Sequence, residues 1–186
     1  LVKLADVSAG VIGAFDAEKV TKDVLEWAKG HDEQLYTLLQ RDTDYAQGIF
    51  AIDRGGKKPR KDIRKWSDVR DYVSYFYDET WQGEYDLPEN LTKEDMIAIL
   101  DTYAKSYEEA PDKNTWFDGV KAICEGLGFC PEVKAYKQDP TGWKGHVGDV
   151  SNVVRVAVTG RKNSPDLWSI MTLLGKERSL SRLRKM

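Results

Sequence analysis

Residues 155–184, RVAVTGRKNSPDLWSIMTLLGKERSLSRLR, set a basic turn between two apolar segments and follow them with a third, basic one. Leu167, Ile170, Met171 and Leu174 recur at i, i+3, i+4 and i+7, the spacing that puts four side chains on one face of a helix. Ser164 is the expected N-cap, because its hydroxyl can accept from a free N–H of the first turn. Pro165 then takes the first helical position, where a missing N–H had no partner to lose. Gly175 is expected to close the helix in the left-handed conformation. Lys176 to Arg184 repeats the pattern, with Leu180 and Leu183 inward and Arg178, Arg182 and Arg184 outward. Arg161, Lys162 and Asn163 sit just ahead of the cap, so two cations and an amide stand near the positive end of a helix. That favours an anionic or nucleic-acid partner.

Upstream, Val153, Val154, Val156 and Val158 alternate enough to suggest a strand. No partner strand is visible elsewhere, and propensity is a weak prior. As a helix, the segment lines one face with Val150, Val153, Val154 and Ala157, and helix is the reading taken. The rest of the chain is helical by the same tests. Leu1 to Ser8 reads as a short docking segment. Asp16 caps a helix with Val20, Val24 and Trp27 inward, ended by Gly30, and a second follows with Leu35, Leu38 and Leu39. A third starts at Asp42 or Thr43. Ser67 is expected to cap a helix carrying Val69, Val73 and Phe76, with Tyr72, Tyr75 and Tyr77 around it. Thr92 and Asp95 form a capping signal for Met96, Ile99, Leu100, Tyr103 and Tyr107. Asn114 opens another helix, with Trp116 or Phe117, Val120, Ile123 and Leu127 buried, closed by Gly128. Pro131 starts a short helix through Tyr136. The acidic stretch 78–91 connects two subdomains, 1–88 and 89–186, in an all-α fold.

Hydrophobic residues make up 41% of the chain and charged ones 32%, ordinary values for a globular protein, and the first residue is Leu1, so the sequence reads as a fragment. No run approaches the ~20 apolar residues of a membrane span. Cys124 and Cys130, spaced C-x5-C with only His31 and His146 to help them, make a poor zinc set and are expected as reduced thiols of a cytoplasmic protein. His146 is read as a turn residue. Phosphate-loop, dinucleotide, zinc-protease and nucleophile-elbow motifs are missing, so no catalytic residue is assigned.

The net charge of −3 hides two basic blocks: residues 54–70 carry eight Lys/Arg against two Asp/Glu, and residues 132–186 carry eleven against five, with an acidic block between them. The first, GGKKPRKDIRKWSD, opens as a loop anchored by Ile63 and Trp66, and a solvated linker would have no use for that tryptophan. Lys and Arg would neutralise phosphates, while Trp66, Trp143 and Trp168 could offer faces to unstacked bases, although at least two of the three are expected to be plain core. A helical protein–protein module using the acidic middle is the alternative. A helix-turn-helix DNA reader is weaker, since no tight helix pair is followed by a basic recognition face.

GDVSNVVRVAVTG (148–160), the SPDL turn (164–167) and the M-x-LLGKE-x-x-L-x-RL run (171–183), in that order and spacing, resemble the C-terminal anticodon-binding region of bacterial glutamyl-tRNA synthetases. LVKLADVS and KPRKDIRKWSDV are similar to that family's upstream segments, so the resemblance covers nearly the whole chain, more loosely over 78–130. It implies an α-helical cage of two subdomains that holds the anticodon loop of glutamate tRNA, with glutamine tRNA a further candidate, in a monomer that binds no DNA. Glutamate activation with ATP and Mg²⁺ belongs to a catalytic domain whose HIGH-type and KMSKS-type motifs this chain lacks, so the fragment alone is expected to be inactive. By resemblance, Ser164, Pro165 and Leu167 meet anticodon bases, with Leu167 or an aromatic stacking, and Arg64 reads the last base. Ser164 stands where relatives often carry Thr. Lys57, Lys58, Arg60, Lys61, Lys65, Arg161, Lys162 and Asn163 complete the expected RNA-binding set.

Overall fold

The computed structural model describes residues 2–186, with side chains from residue 4 onward. Among the described residues the chain forms eleven α-helices, two short 3₁₀ turns and no strand, so the all-α expectation holds. It divides between Trp81 and Gln82 into two compact units.

The first unit contains α1 (Val2–Ala14), α2 (Ala17–His31), α3 (Glu33–Gln40), α4 (Thr43–Ala51) and α5 (Val69–Val73), with 3₁₀ turns at Trp66–Asp68 and Ser74–Phe76. Its helices are short, and a carboxylate starts three of them. Asp16, Asp32 and Asp42 accept from the N–H groups of Lys19, Leu35 and Tyr45 at 2.7, 3.0 and 2.9 Å, each cap stabilising by about 1 kcal/mol relative to Ala. The core is Val20, Val24 and Ala28 of α2, Leu35 and Leu39 of α3, Ala46, Ile49 and Phe50 of α4, and Val69, Tyr72, Val73, Tyr75, Phe76 and Tyr77. Trp27 and Leu38 are only half-buried. Trp27 stacks on His31, with ring centroids 5.2 Å apart. The α2 helix runs one residue past Gly30, because Asp32 closes it through an N–H bond to Ala28 while capping α3.

Two further expectations fail here. The docking segment is helix: α1 begins at Val2, although Leu1, its first expected residue, lies outside the described residues. Gly10 does not break it, since an interior glycine costs only about 1 kcal/mol. Arg54 supplies a stop, donating through Nη1 to the carbonyls of Ile12 and Phe15 at 2.7 and 3.0 Å, where a helix end leaves acceptors without partners. Ser67 is not a cap. It lies inside a 3₁₀ turn, and the acid beside it, Asp68, reaches back to Arg64 instead of forward to α5. Ile63 is buried as expected and fixes the basic block. Gly13 lets the block approach closely, because a Cβ there would stand 3.0 Å from the Arg60 carbonyl.

The second unit contains α6 (Lys93–Ser106), α7 (Lys113–Leu127), α8 (Val133–Gln138), α9 (Val147–Thr159), α10 (Leu167–Leu174) and α11 (Lys176–Leu183). Helix α9 packs against α6, α7 and α11. Val147, Val150, Val153, Val154, Val156, Ala157, Val158 and Thr159 are all buried on it. A helix apolar on nearly every side belongs inside. Each buried valine contributes about 1.5–3 kcal/mol, far more than the few tenths by which β-branching disfavours a helix. The local alternation therefore loses to tertiary packing.

Thr92 caps α6, accepting from Asp95 N–H at 3.1 Å, and its five expected core residues are buried. Asp112, not Asn114, starts α7, accepting from the N–H groups of Asn114 and Thr115 at 2.9 and 3.0 Å. Gly128 ends it in the left-handed conformation, φ 81° and ψ 24°. His146 has the structural role expected of a turn residue. Its Nδ1 accepts from Gly148 N–H at 2.9 Å, and its own N–H donates to Asp149 at 2.8 Å.

Candidate nucleic-acid interface

The first basic block lies wholly in the first unit. Lys57, Lys58, Lys61 and Lys65 are exposed, and Trp66 is half-buried behind them. Arg60 is held by Asp62 through two bonds of 2.6 and 2.9 Å. Arg64 leans on Asp68, its Nε at 3.0 Å and its backbone N–H at 3.1 Å. Burial alone would raise the Asp68 pKa, but the Arg64 guanidinium and amide more than offset it and hold the carboxyl below its ordinary value. The Arg64 side chain stays 60% exposed, so the ion pair orients a guanidinium that solvent and ligands can still reach.

The second basic site is the turn between α9 and α10. Gly160 ends α9 with φ 78° and ψ −3°, donating to Val156 at 2.7 Å. The Thr159 hydroxyl donates to the Arg155 carbonyl at 2.8 Å and accepts from Arg161 N–H at 3.2 Å, which folds the chain back at once. Arg161 and Lys162 thus follow the carbonyl end of α9, where cations are favoured. They stand three or more residues short of the α10 cap. This corrects the expected placement at a positive helix end.

Asp166 starts α10, accepting from the N–H and hydroxyl of Ser169 at 3.0 and 2.9 Å and pairing with Lys113. Ser164 and Pro165 therefore lie ahead of the helix, contrary to expectation. The reason is Arg155, whose Nη1 donates to the Ser164 hydroxyl and to the carbonyls of Ser164 and Pro165, the last two at 3.2 and 2.8 Å. The Ser164 hydroxyl donates in turn to the Pro165 carbonyl at 3.0 Å. Ser164 and Pro165 are buried, and Leu167 is 1% exposed. Leu167 is a core side chain that anchors the turn, which corrects the picture of it stacking on a base from the surface. Asn163 is exposed, and Arg161 and Lys162 are half-buried.

The neighbouring helices differ from expectation too. Gly175 has positive φ, 79°, but ψ 164°, so it is extended and not left-handed helical. Arg182 points inward, 2% exposed, with Nη1 donating to Val158 at 2.9 Å. A carbonyl of the last turn of α9 accepts that charge. Arg178 turns back to the Leu174 carbonyl at 2.8 Å.

Sequence reasoning missed two groups. Arg155 could have been noticed as the one charge inside VVRVAV, nine positions before Ser164. Asp86 and Glu89 lie 3.1 and 3.8 Å from the Lys162 ammonium, and Asp86 N–H donates to the Gly160 carbonyl at 2.9 Å. No local signal links residues so far apart in sequence. Trp66, Trp143 and Trp168 are each half-buried, short of the full burial expected of at least two. Trp168 donates to the Ala110 carbonyl at 3.1 Å. Cys124 and Cys130 are buried free thiols, and burial pushes the Cys124 thiol up to about 11. No helix among the described residues is long and apolar enough to cross a membrane.

Residues 141–186, which contain α9, the turn, α10 and α11, match the family model of an anticodon binding domain. Over its whole length the chain is 41% identical to a glutamate–tRNA ligase of Sorangium cellulosum, covering 33% of that protein. It is 40% identical over its whole length to a glutamate–tRNA ligase of Clostridium perfringens and 35% to one of Acetivibrio thermocellus, covering 34% of each. The chain spans about a third of the length of these curated relatives, and the matched part is C-terminal. The resemblance seen in residues 148–183 therefore extends along the entire chain.

Proposed function

We propose that this chain is the tRNA anticodon-recognition region of a cytoplasmic glutamate–tRNA ligase, acting as a monomer on glutamate tRNA. The observation that carries the reading is the Arg155-held turn at Ser164–Pro165, which lies inside the segment that matches an anticodon binding domain. Glutamate activation with ATP and Mg²⁺ we assign to the part of the relatives that this chain does not match.

The chemistry divides by residue. Lys57, Lys58, Lys61, Lys65, Arg161 and Lys162 supply positive charge that phosphates attract, and such contacts set affinity without reading sequence. Arg64 carries a planar fork of donors and Asn163 an amide donor beside a carbonyl acceptor, both suited to base edges. Ser164, Pro165 and Leu167 act through the turn's shape: with their side chains bonded or buried, they fix the backbone against which a base can rest. Arg155 holds that backbone. The half-buried indoles near the basic blocks remain the stacking candidates.

Titration of Arg64→Ala and Ser164→Ala chains against glutamate tRNA transcripts with single anticodon changes tests the reading. Loss of the Arg64 base-edge contact should cost about 1–3 kcal/mol and relax preference at one anticodon position, and Ser164→Ala should relax preference through the altered turn. If both variants weaken every transcript equally, base reading at these positions is wrong. The alternative of a protein-docking module has no observation of its own in the structure.

A further inference from the structure

Residues 84–90, EYDLPEN, carry three acids and no cation and form an irregular strap, turning at Glu89–Asn90, that touches both ends of α9. Three contacts pin it. Asp86 N–H bonds the Gly160 carbonyl at the end of α9, Pro88 is buried, and Asn90 Nδ2 donates to Asp149 in the first turn of α9 at 2.9 Å. The result is a carboxylate beside the basic turn: Lys162 Nζ lies 3.1 Å from Asp86 and 3.8 Å from Glu89. Both acids remain well exposed, with 59% and 95% of their side-chain surface open, so neither is there to fill a core. The backbone bond would hold the strap without either charge.

We propose that Asp86 and Glu89 compete with RNA phosphate for Lys162, and so set a ceiling on the base-independent part of RNA affinity. The inference rests on the anticodon reading and adds a restraint to it. An anionic ligand reaching Lys162 must displace a carboxylate that the strap supplies, whereas Arg64 is held by its own neighbour Asp68 and the Ser164 and Pro165 carbonyls by Arg155, partners that changes in the strap leave in place. The strap therefore lowers attraction to any polyanion while leaving discrimination between anticodons intact. A reader that must release the many wrong tRNAs gains by this, because phosphate contacts are the share of binding all RNAs have in common.

The experiment uses the full chain, its Asp86→Asn/Glu89→Gln variant, Lys162→Ala, and the combination of all three. Each is titrated with glutamate tRNA transcript and with the same transcript bearing three changed anticodon bases, at about 50 and about 200 mM salt. Asp86→Asn/Glu89→Gln should bind both transcripts more tightly by one common factor, about two- to fivefold, the size of an exposed ion pair. Its salt dependence should steepen by about one phosphate equivalent. Both effects should vanish in the Lys162→Ala background. Unchanged affinity and slope overturn the proposal, as does tightening that persists without Lys162, which would be plain charge repulsion. The anticodon reading is checked separately by the ratio between the two transcripts. A wild-type chain that holds both equally overturns that reading and the strap inference with it.

Discussion

One guanidinium decides the shape of the turn at 160–166. Arg155 Nη1 serves three acceptors on Ser164 and Pro165, all of them withdrawn from water. Arg155→Ala leaves the Ser164 carbonyl without its donor and the Pro165 carbonyl with the Ser164 hydroxyl alone, which costs about 1–3 kcal/mol. Urea unfolding should show that loss, with Arg155→Lys intermediate because an ammonium lacks the planar fork. A variant as stable as the parent would mean the turn holds itself. Asp166 makes a second test at this scale. Its burial alone would raise the pKa, yet Lys113 and the Ser169 donors pull it below the ordinary 3.8. A depressed folded-state value means the stabilisation is full above pH 3.8 and fades as pH falls through that value. Asp166→Asn keeps the cap geometry and cannot ionise. The stability gap between parent and variant should therefore be largest near neutrality and shrink steadily below about pH 4. A gap that stays constant across that range rules out the ionised carboxylate as its source.

Helix ends separate glycines that look alike in the sequence. Gly126 and Gly128 stand two residues apart in α7 and its cap. Gly128 has φ 81°, while Gly126 lies within the helix with nothing within 4 Å of an added Cβ. Gly128→Ala should destabilise by about 1–2 kcal/mol, the cost of a left-handed L-residue, and Gly126→Ala should stabilise by up to about 1 kcal/mol through helix propensity. Opposite shifts of the thermal midpoint are the outcome expected. Such helix ends are much of what is readable in advance: Asp16, Thr92 and Gly128 sit beside apolar periods of 3.6, and nothing remote overrides them. The unreadable parts each have a distant cause. Helix α1 hides because Leu4, Val7 and Val11 face outward, 50–67% exposed, and leave no buried stripe of the usual width. The start of α10 is misplaced because Ser164 and Asp166 both qualify as caps, and Arg155 arbitrates from the preceding helix. Arg182 turns inward because its acceptor, Val158, lies on α9. In the candidate interface, both basic blocks are legible as charge runs. That Arg60, Arg64 and Lys162 are each held by a nearby acid is legible only in three dimensions.

At the scale of the molecule, the division at Trp81/Gln82 gives each unit its own capped helices and its own buried core. The first is built on Val20, Val24, Leu39, Ile49 and Phe76, the second on the valines of α9 with Ile99, Leu100 and Ile170. A unit with a separate core and satisfied helix ends meets the conditions for folding alone. Residues 1–81 and 82–186, expressed separately, should each unfold in urea as one cooperative transition, with near-ultraviolet and far-ultraviolet dichroism moving together. Retained far-ultraviolet signal without fixed tertiary packing in either half would refute this. The basic blocks fall one to each unit, so the same two halves also divide the electrostatics. Each half alone should bind tRNA with a shallower salt dependence than the intact chain, since it offers fewer cations to phosphate. If one half reproduces the full slope, the phosphate contacts lie all on that side and the other basic block is only a solvated surface.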